Sequence, residues 1–328
     1  MKRHVLTLFA IGVPLLSLGH AHGQTTSGGA VPAFPGKPIH IITGEPGGSN
    51  DFASRLIAPG LAERMGQAVI VENKGGASGI VGAELVVKAP PDGYTVLLYG
   101  SPIWLLPFMQ TLSYDPLRDF LPVTLVIRSP NLLVVHPSVA ANSLKELIAL
   151  AKAKPDALNY ASSATGGSPH LAAELFKAMA GVNMVMISYK GAGPAVTATI
   201  SGEVQVMFPN AASSAPHLKS GKLRALAVTS AQPTELIPGL PTVAASGLPG
   251  YEAVSMFGMF APAKTPSAVI NRLNQETARV LARPEVKEKF FNAGVEAVGN
   301  SPAEFATAMK TEMTVLGKVI MDAGIRAD

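Results

Sequence analysis

Apolar residues in this chain gather in short β-branched runs separated by longer stretches with helical spacing. Ile39, Ile41 and Ile42, then residues 68–73 (AVIVEN) and 94–100 (YTVLLYG), predict three strands. After the first strand, a Pro-Gly-Gly-Ser-Asn-Asp turn leads into Phe52, Leu56, Ile57, Leu61 and Met65, one stripe of an amphipathic helix. Pro59-Gly60 interrupts that stripe. Pro59 has no N–H for the Arg55 carbonyl and crowds it, so a kink or two short helices are expected. A Gly-rich turn then opens a second helix that ends before Pro90-Pro91. Strands alternating with helices predict a mostly parallel sheet covered on both faces.

The grammar recurs further on. Two strand-like runs lie within residues 121–136, followed by a helix over 144–154 with Asn142 or Ser143 as its cap. Residues 158–161 predict a strand, 162–170 (SSATGGSPH) a Gly/Ser loop, and the helix after it closes at Gly181. Further strands are expected at 184–191, 203–210 and 222–230, with a helix over 194–201; residues 233–250 form a punctuated connection. A strand at 253–263, a helix at 271–284 and a long helix at 302–324 complete the chain. Phe305, Met309, Met313, Leu316 and Ile320 share one face of the last helix and read as core.

Strand, glycine loop and helix thus occur twice, at 39–66 and 158–181. The first amides of a helix have no partner within it, and the positive end of its dipole lies there. Each loop is therefore a potential anion seat.

Composition narrows the function. With 328 residues, 48% hydrophobic and 15% charged, the chain has enough apolar surface for two domains with cores. The +4 net charge includes Lys2 and Arg3; the remainder, 24 basic against 22 acidic residues, offers no polybasic face for nucleic acid. There is no cysteine, hence no disulfide or thiolate site. Residues 1–23 have the form of a secretory signal peptide, with two basic residues, an apolar stretch from Val5 to Leu18 and a small-residue exit after Gly23 or Ala21. That stretch is shorter than the roughly 20 residues a membrane span needs. Residues 24–38 read as a flexible entry segment, and export of a soluble protein to the periplasm follows.

Catalysis has little support. No Gly-x-Ser-x-Gly elbow or Walker pattern occurs, and Gly76, Gly79 and Gly82 do not match the dinucleotide fingerprint. His170 and Glu174 could suggest a metal pair, but helix pairing or core packing suits them better. No metal or cofactor is expected. Asp51 suits a first-turn residue complementing the helix dipole better than a ligand contact. Trp104 stays open between stacking on a ligand and a hinge or core role.

The blocks PGKPIHIITGEPGGSNDFASRL, AVIVENKGGASGIVGAELVVKAPPDGYTVLL, LNYASSATGGSPHLAAELF, SYKGAGPA, GKLRALAVTS and MFGMFAPAKTP, in this order, resemble the tripartite tricarboxylate transporter substrate-binding family, the Bug-type periplasmic receptors. The resemblance implies an α/β, two-lobed type II periplasmic binding fold with the ligand in the interdomain cleft. Residues 39–127 and 250–328 would form lobe 1, and residues 128–249 lobe 2. It also implies a small carboxylate-bearing solute held by Pro46, Gly47, Gly48, Ser49, Asn50 and Asp51 from one lobe and Ser162, Ser163, Thr165, Gly166 and Ser168 from the other. Ser101, Tyr189 and Asn210, at or near strand ends, complete the expected set. The chain departs from the family pattern at Gly44, Glu45, Ala164 and Pro209; a carboxylate at Glu45 would repel a simple dicarboxylate unless it turns outward or meets an amine. Expected partners are the ligand and the membrane subunits of a transporter, or a sensor in their place, with the receptor a monomer. A secreted hydrolase on the same architecture is the alternative.

Overall fold

The computed structural model describes residue 1 and residues 34–162, 165–189 and 191–327. The signal-peptide reading, residues 24–33 of the entry segment, Ser163 and Ala164 lie outside the described residues.

In chain order the first elements are β1 (Ile39–Thr43), α1 (Ser49–Met65), β2 (Val69–Asn73), α2 (Ile80–Val87), β3 (Thr95–Gly100), the short α3 (Pro102–Leu105) and β4 (Phe120–Pro130). There follow β5 (Leu132–Val135), α4 (Leu144–Ala153), β6 (Asn159–Ser162), α5 (Ser168–Ala180), β7 (Val185–Ser188), α6 (Ala192–Ile200), β8 (Val206–Met207), α7 (Ala211–Lys219) and β9 (Arg224–Val228). The chain ends with β10 (Val254–Pro262), α8 (Ser267–Leu281), α9 (Pro284–Asn292), β11 (Glu296–Ala297) and α10 (Pro302–Asp322).

These strands form two sheets, with orders β11-β4-β10-β3-β1-β2 and β7-β6-β8-β5-β9. In the first sheet β1 is parallel to β2 and β3, whereas β10 is antiparallel to β3 and β4, and β11 is antiparallel to β4. The expectation of a mostly parallel sheet is therefore corrected to a mixed one. The cause is connectivity. β4 leaves the first sheet and becomes β5 of the second after only Asn131, and β10 brings the chain back in the opposite sense.

Both faces of the first sheet are buried, so its strands alternate between two cores. Val96 and Leu98 of β3 join Ile41, Ile57, Leu61 and Met259 under α1 and α8. Leu97 and Tyr99 point to the opposite core, which holds Trp104, Phe120, Phe260 and Phe305 and runs on through α10 and α5 to Phe176 and Phe208 of the second half. Its aromatic centre packs Phe260 against Phe305 with ring centroids 5.0 Å apart and Trp104 against Phe260 at 5.7 Å. Such pairs contribute about 0.5–1.5 kcal/mol each beyond burial.

α1 is one continuous helix through Pro59, not two short ones. Arg55 and Pro59 are exposed, so water can satisfy the carbonyl that loses its helical partner. Buried Ile57, Ala58, Leu61 and Met65 hold both halves against the sheet and α8. The stretch after β3 begins with the turns of α3 and 3-10 residues Leu106–Phe108. α7 and α9 were not anticipated; Ser213, Ser214 and Pro216 in α7 and Pro284 opening α9 mask their helical periodicity. α8 starts at Ser267, four residues earlier than the expected 271, because Pro266 supplies its entry. α10 opens with a capping box between Ser301 and Glu304.

Gly258 of β10 leaves room for α10: a Cβ there would lie 2.0 Å from Cζ of Phe305. Phe305 is fully buried among other rings and has nowhere to turn. Gly258→Ala is expected to destabilise the fold by about 1–3 kcal/mol through overpacking. Urea unfolding checks this as a lower midpoint at unchanged m-value.

Candidate binding site

The two glycine loops have the same local construction. Gly47 has φ +78° and Gly166 φ +71°, a region that glycine occupies without strain. The next residues, Gly48 (φ −75°, ψ 167°) and Gly167 (φ −71°, ψ 161°), cap α1 and α5 in extended conformation. In both loops the positive-φ glycine donates its N–H to the side chain four residues on. Gly47 donates to Oδ2 of Asp51 at 2.9 Å, and Gly166 donates to Nδ1 of His170 at 2.9 Å. The first helical bonds then run from Phe52 to Gly48 and from Leu171 to Gly167. The amides between these points, those of Ser49, Asn50 and Asp51 in one loop and of Ser168 and His170 in the other, precede the first helical bond; Pro169 has none to offer.

Asp51 and His170 are therefore loop anchors. Asp51 is 5% exposed, and its Oδ1 also accepts from Arg55 Nε and Asn73 Nδ2, each at 2.8 Å. Burial pushes its carboxyl up, but the Gly47 amide, Asn73 and Arg55 together hold it below the ordinary value. Asn73 also donates to the Gly44 carbonyl at 2.7 Å, tying β2 to the loop's entry. His170 is equally buried, and desolvation draws its imidazole down; Glu174 opposes this from 4.0 Å, and Lys177 adds to it. An imidazole that accepts at Nδ1 is neutral. Among the described residues no cluster of three or more metal-ligating side chains occurs.

The loops open on a cavity of about 740 Å³, a volume suited to a small organic molecule. Asn50, Ser78, Tyr99 and Ser101 line it from the first sheet's side. Thr165, Gly166, Ser168, Ser188 and Tyr189 line it from the second's. β10 contributes the run from Val254 to Phe257, and α10 contributes Glu312 and Leu316. None of the described lining residues is lysine or arginine. Tyr99 is held where two glycines make space: a Cβ on Gly44 would lie 3.0 Å from its ring, and one on Gly79 would lie 2.5 Å from it. Gly44 has no room for a larger side chain beside Tyr99 and Asn50. Oδ1 of Asn50 is buried without a protein partner, an acceptor left over beside the cavity.

Of the expected residues, Asn50, Ser101, Thr165, Gly166, Ser168 and Tyr189 are brought together on the cavity wall. Pro46, Gly47, Gly48, Ser49 and Asp51 build the first loop but are not among the lining residues. Ser162 is buried at the end of β6, and Asn210 lies outside the cavity, capping α7 by accepting from the Ser213 N–H at 2.8 Å. Pro209 is buried beside it. Glu45 is exposed and lies against Gly75, outside the lining. Trp104 is fully buried in the core, with Nε1 donating to Oε2 of Glu312 at 2.6 Å, which closes the ligand-stacking option.

Ser78, Tyr99, Ser255 and Glu312 are lining residues that sequence reasoning missed. The signal for Ser78 was the Gly-rich turn after a strand's carboxyl end, where it sits at φ +55°. The signal for Glu312 was its register. It stands three residues after Met309 and four before Leu316, a charged residue on the apolar stripe of α10.

Comparison with known proteins gives a consistent result. Residues 53–325 match the family model described as tripartite tricarboxylate transporter family receptor. The chain is similar to Rpa4515 of R. palustris, solved with adipate, at 36% identity over 90% of this chain and 100% of that one, with a TM-score of 0.73. It is similar to the periplasmic binding protein BugD at 30% identity over 90% and 100% of the two chains, with a TM-score of 0.70. MatC of Rhodopseudomonas palustris, with bound malate, matches at 27% identity over 88% and 100%, with a TM-score of 0.69.

The His170 anchor has a pH signature. Neutral in the fold with a value below 6.5, it takes up a proton more readily when unfolded, so its contribution is complete above about pH 6.5 and lost as pH falls through the folded value. Urea midpoints at pH 7.5 and pH 5.0 should fall more for the wild type than for His170→Asn, whose Oδ1 accepts from Gly166 without titrating.

Proposed function

Because the chain belongs to the tripartite tricarboxylate transporter receptor family, we propose that it captures a small organic carboxylate between its two glycine loops and delivers it to the membrane subunits of such a transporter. The fold is the two-sheet α/β fold of periplasmic binding proteins, and the family is one of solute receptors, which leaves no place for the hydrolase alternative. Residues 39–127 with 250–328 act as one lobe and 128–249 as the other. The leader at 1–23 directs export, and the receptor works as a monomer.

The observation that carries this reading is the matched pair of loops, each with its glycine amide anchored and its first-turn amides unbonded within the helix, on a cavity with no described lysine or arginine in its wall. Relatives solved with adipate and malate support a carboxylate as the ligand class. The energetics are adequate. Micromolar affinity needs about 8 kcal/mol, and hydrogen bonds to a charged group contribute roughly 1.5–3 kcal/mol each. Loops from both halves share the ligand, so binding favours the closed arrangement and gives the transporter a state to recognise.

Thermal-shift and calorimetric titration with mono-, di- and hydroxycarboxylates tests the proposal. At least one should bind with 1:1 stoichiometry and, at 100 times its dissociation constant, stabilise the fold by about 2.7 kcal/mol. Gly166→Ala places a side chain at φ +71° with its Cβ 2.7 Å from Sδ of Met109. It should lower affinity at least tenfold with the circular dichroism spectrum unchanged. Unaltered affinity would move the site off this loop.

A further inference from the structure

The wall of the cavity carries an acidic group that an anion receptor does not need. Glu312 of α10 lines it. Ser101 Oγ–H donates to its Oε1 at 3.0 Å, and Trp104 Nε1–H donates to its Oε2 at 2.6 Å. Each oxygen thus has one protein donor. A carboxylate offers about four acceptor sites, so about two remain.

The surroundings make that remaining capacity selective. Leu105, Leu106, Met256 and Leu316 also line the cavity, and no described lysine or arginine lines it. A second ligand carboxylate brought to Glu312 would face a like charge in a largely apolar environment with no cation to offset it. A hydroxyl or ammonium group would instead donate to a prepared acceptor, with a charge-assisted bond in either case.

We propose that Glu312 is a specificity-determining residue of the cleft, selecting acids that pair one carboxylate, held at the glycine loops, with a hydrogen-bond-donating hydroxyl or ammonium group at the other end. This rests on the reading of the cleft as a carboxylate site and narrows it from organic acids in general to ω-hydroxy and ω-amino acids. The two donors from Ser101 and Trp104 hold the carboxyl in one orientation and stabilise its ionised form. Burial works against ionisation and pushes the group up to about 7, with the charge of Glu252 adding to the rise. At pH 8, above that value, the ionised form is the favoured one.

Calorimetric titration at pH 8 with two matched series tests the proposal. One comprises butyrate, succinate, 4-hydroxybutyrate and 4-aminobutyrate; the other comprises hexanoate, adipate, 6-hydroxyhexanoate and 6-aminohexanoate. In at least one series the hydroxy or amino acid should bind at least tenfold more tightly than the dicarboxylate of equal length. Glu312→Gln can keep both internal bonds by turning its oxygen to Trp104 and its amide to Ser101. It should remove most of the ammonium advantage, read as the ratio of amino-acid to monocarboxylate affinity within the variant. Glu312→Met should abolish the preference for either donor. Equal or tighter binding of the dicarboxylate, or a uniform loss across each series in both variants, would overturn the assignment of Glu312 and leave the carboxylate reading standing. No binding of any acid in either series would overturn both.

Discussion

A helix cannot satisfy its own first amides, and this protein builds two helix starts around that deficit. The solution is economical in residues. A glycine at positive φ turns the chain, the next glycine caps in extended form, and the side chain four residues on accepts the turning glycine's amide. That bond fixes the loop without using the amides of the helix's first turn. Asp51 does this in one half and His170 in the other, and their different chemistry makes one anchor permanently charged at neutral pH and the other neutral. Everything else in the fold serves to place these two helix starts on one cavity.

The placement comes from the crossing strands. β4 runs straight into β5 through Asn131, and β10 returns alongside β4, so both sheets are stitched within a few residues of the cleft. Asn131 also donates from Nδ2 to Ser168 Oγ at 2.7 Å, linking the crossing point to the start of α5. The aromatic group of Trp104, Phe120, Phe260 and Phe305 fills the space behind the first half, and α10 extends from it to α5. Gly258 is bare because Phe305 occupies the position its side chain would need.

What could be read in the sequence depended on how local its cause was. The loops were readable because Gly47 and Gly166 sit where a left-handed turn must precede a helix, and their helices close at Gly66 and Gly181, also in left-handed conformation. The antiparallel return of β10 was not, because its pairing with β4 joins residues more than a hundred positions apart and leaves no mark on either strand's composition. α7 was hidden because Ser213, Ser214 and Pro216 have low helix propensity, which Asn210 capping and packing against α6 override. At the site, backbone-built features were accessible while side chains contributed by distant elements were not. Tyr99 and Ser255 read as ordinary strand residues, and Asn210, expected at the ligand, also caps α7.

Glu312 shows how the two levels interact. Its position on the apolar stripe of α10 is a local inconsistency, and such inconsistencies tend to mark function or a compensated structural demand. Here the structure supplies part of the compensation, two donors from Ser101 and Trp104, and those donors are themselves fixed: Trp104 by the aromatic core and Ser101 by its amide, which donates to the Met256 carbonyl at 3.0 Å. A group whose only task was to hold Trp104 would cost less as a neutral amide, since burial raises the carboxyl to about 7 and so disfavours its charge in the fold at higher pH. The carboxylate also sits in the wall of a cavity whose other side chains are hydroxyls, the amides of Asn50 and Gln110, and apolar groups. An acid facing amide donors at the loops and an acceptor at α10 meets a polarity gradient along its length. That gradient is matched by a molecule with unlike ends and opposed by one with two carboxylates.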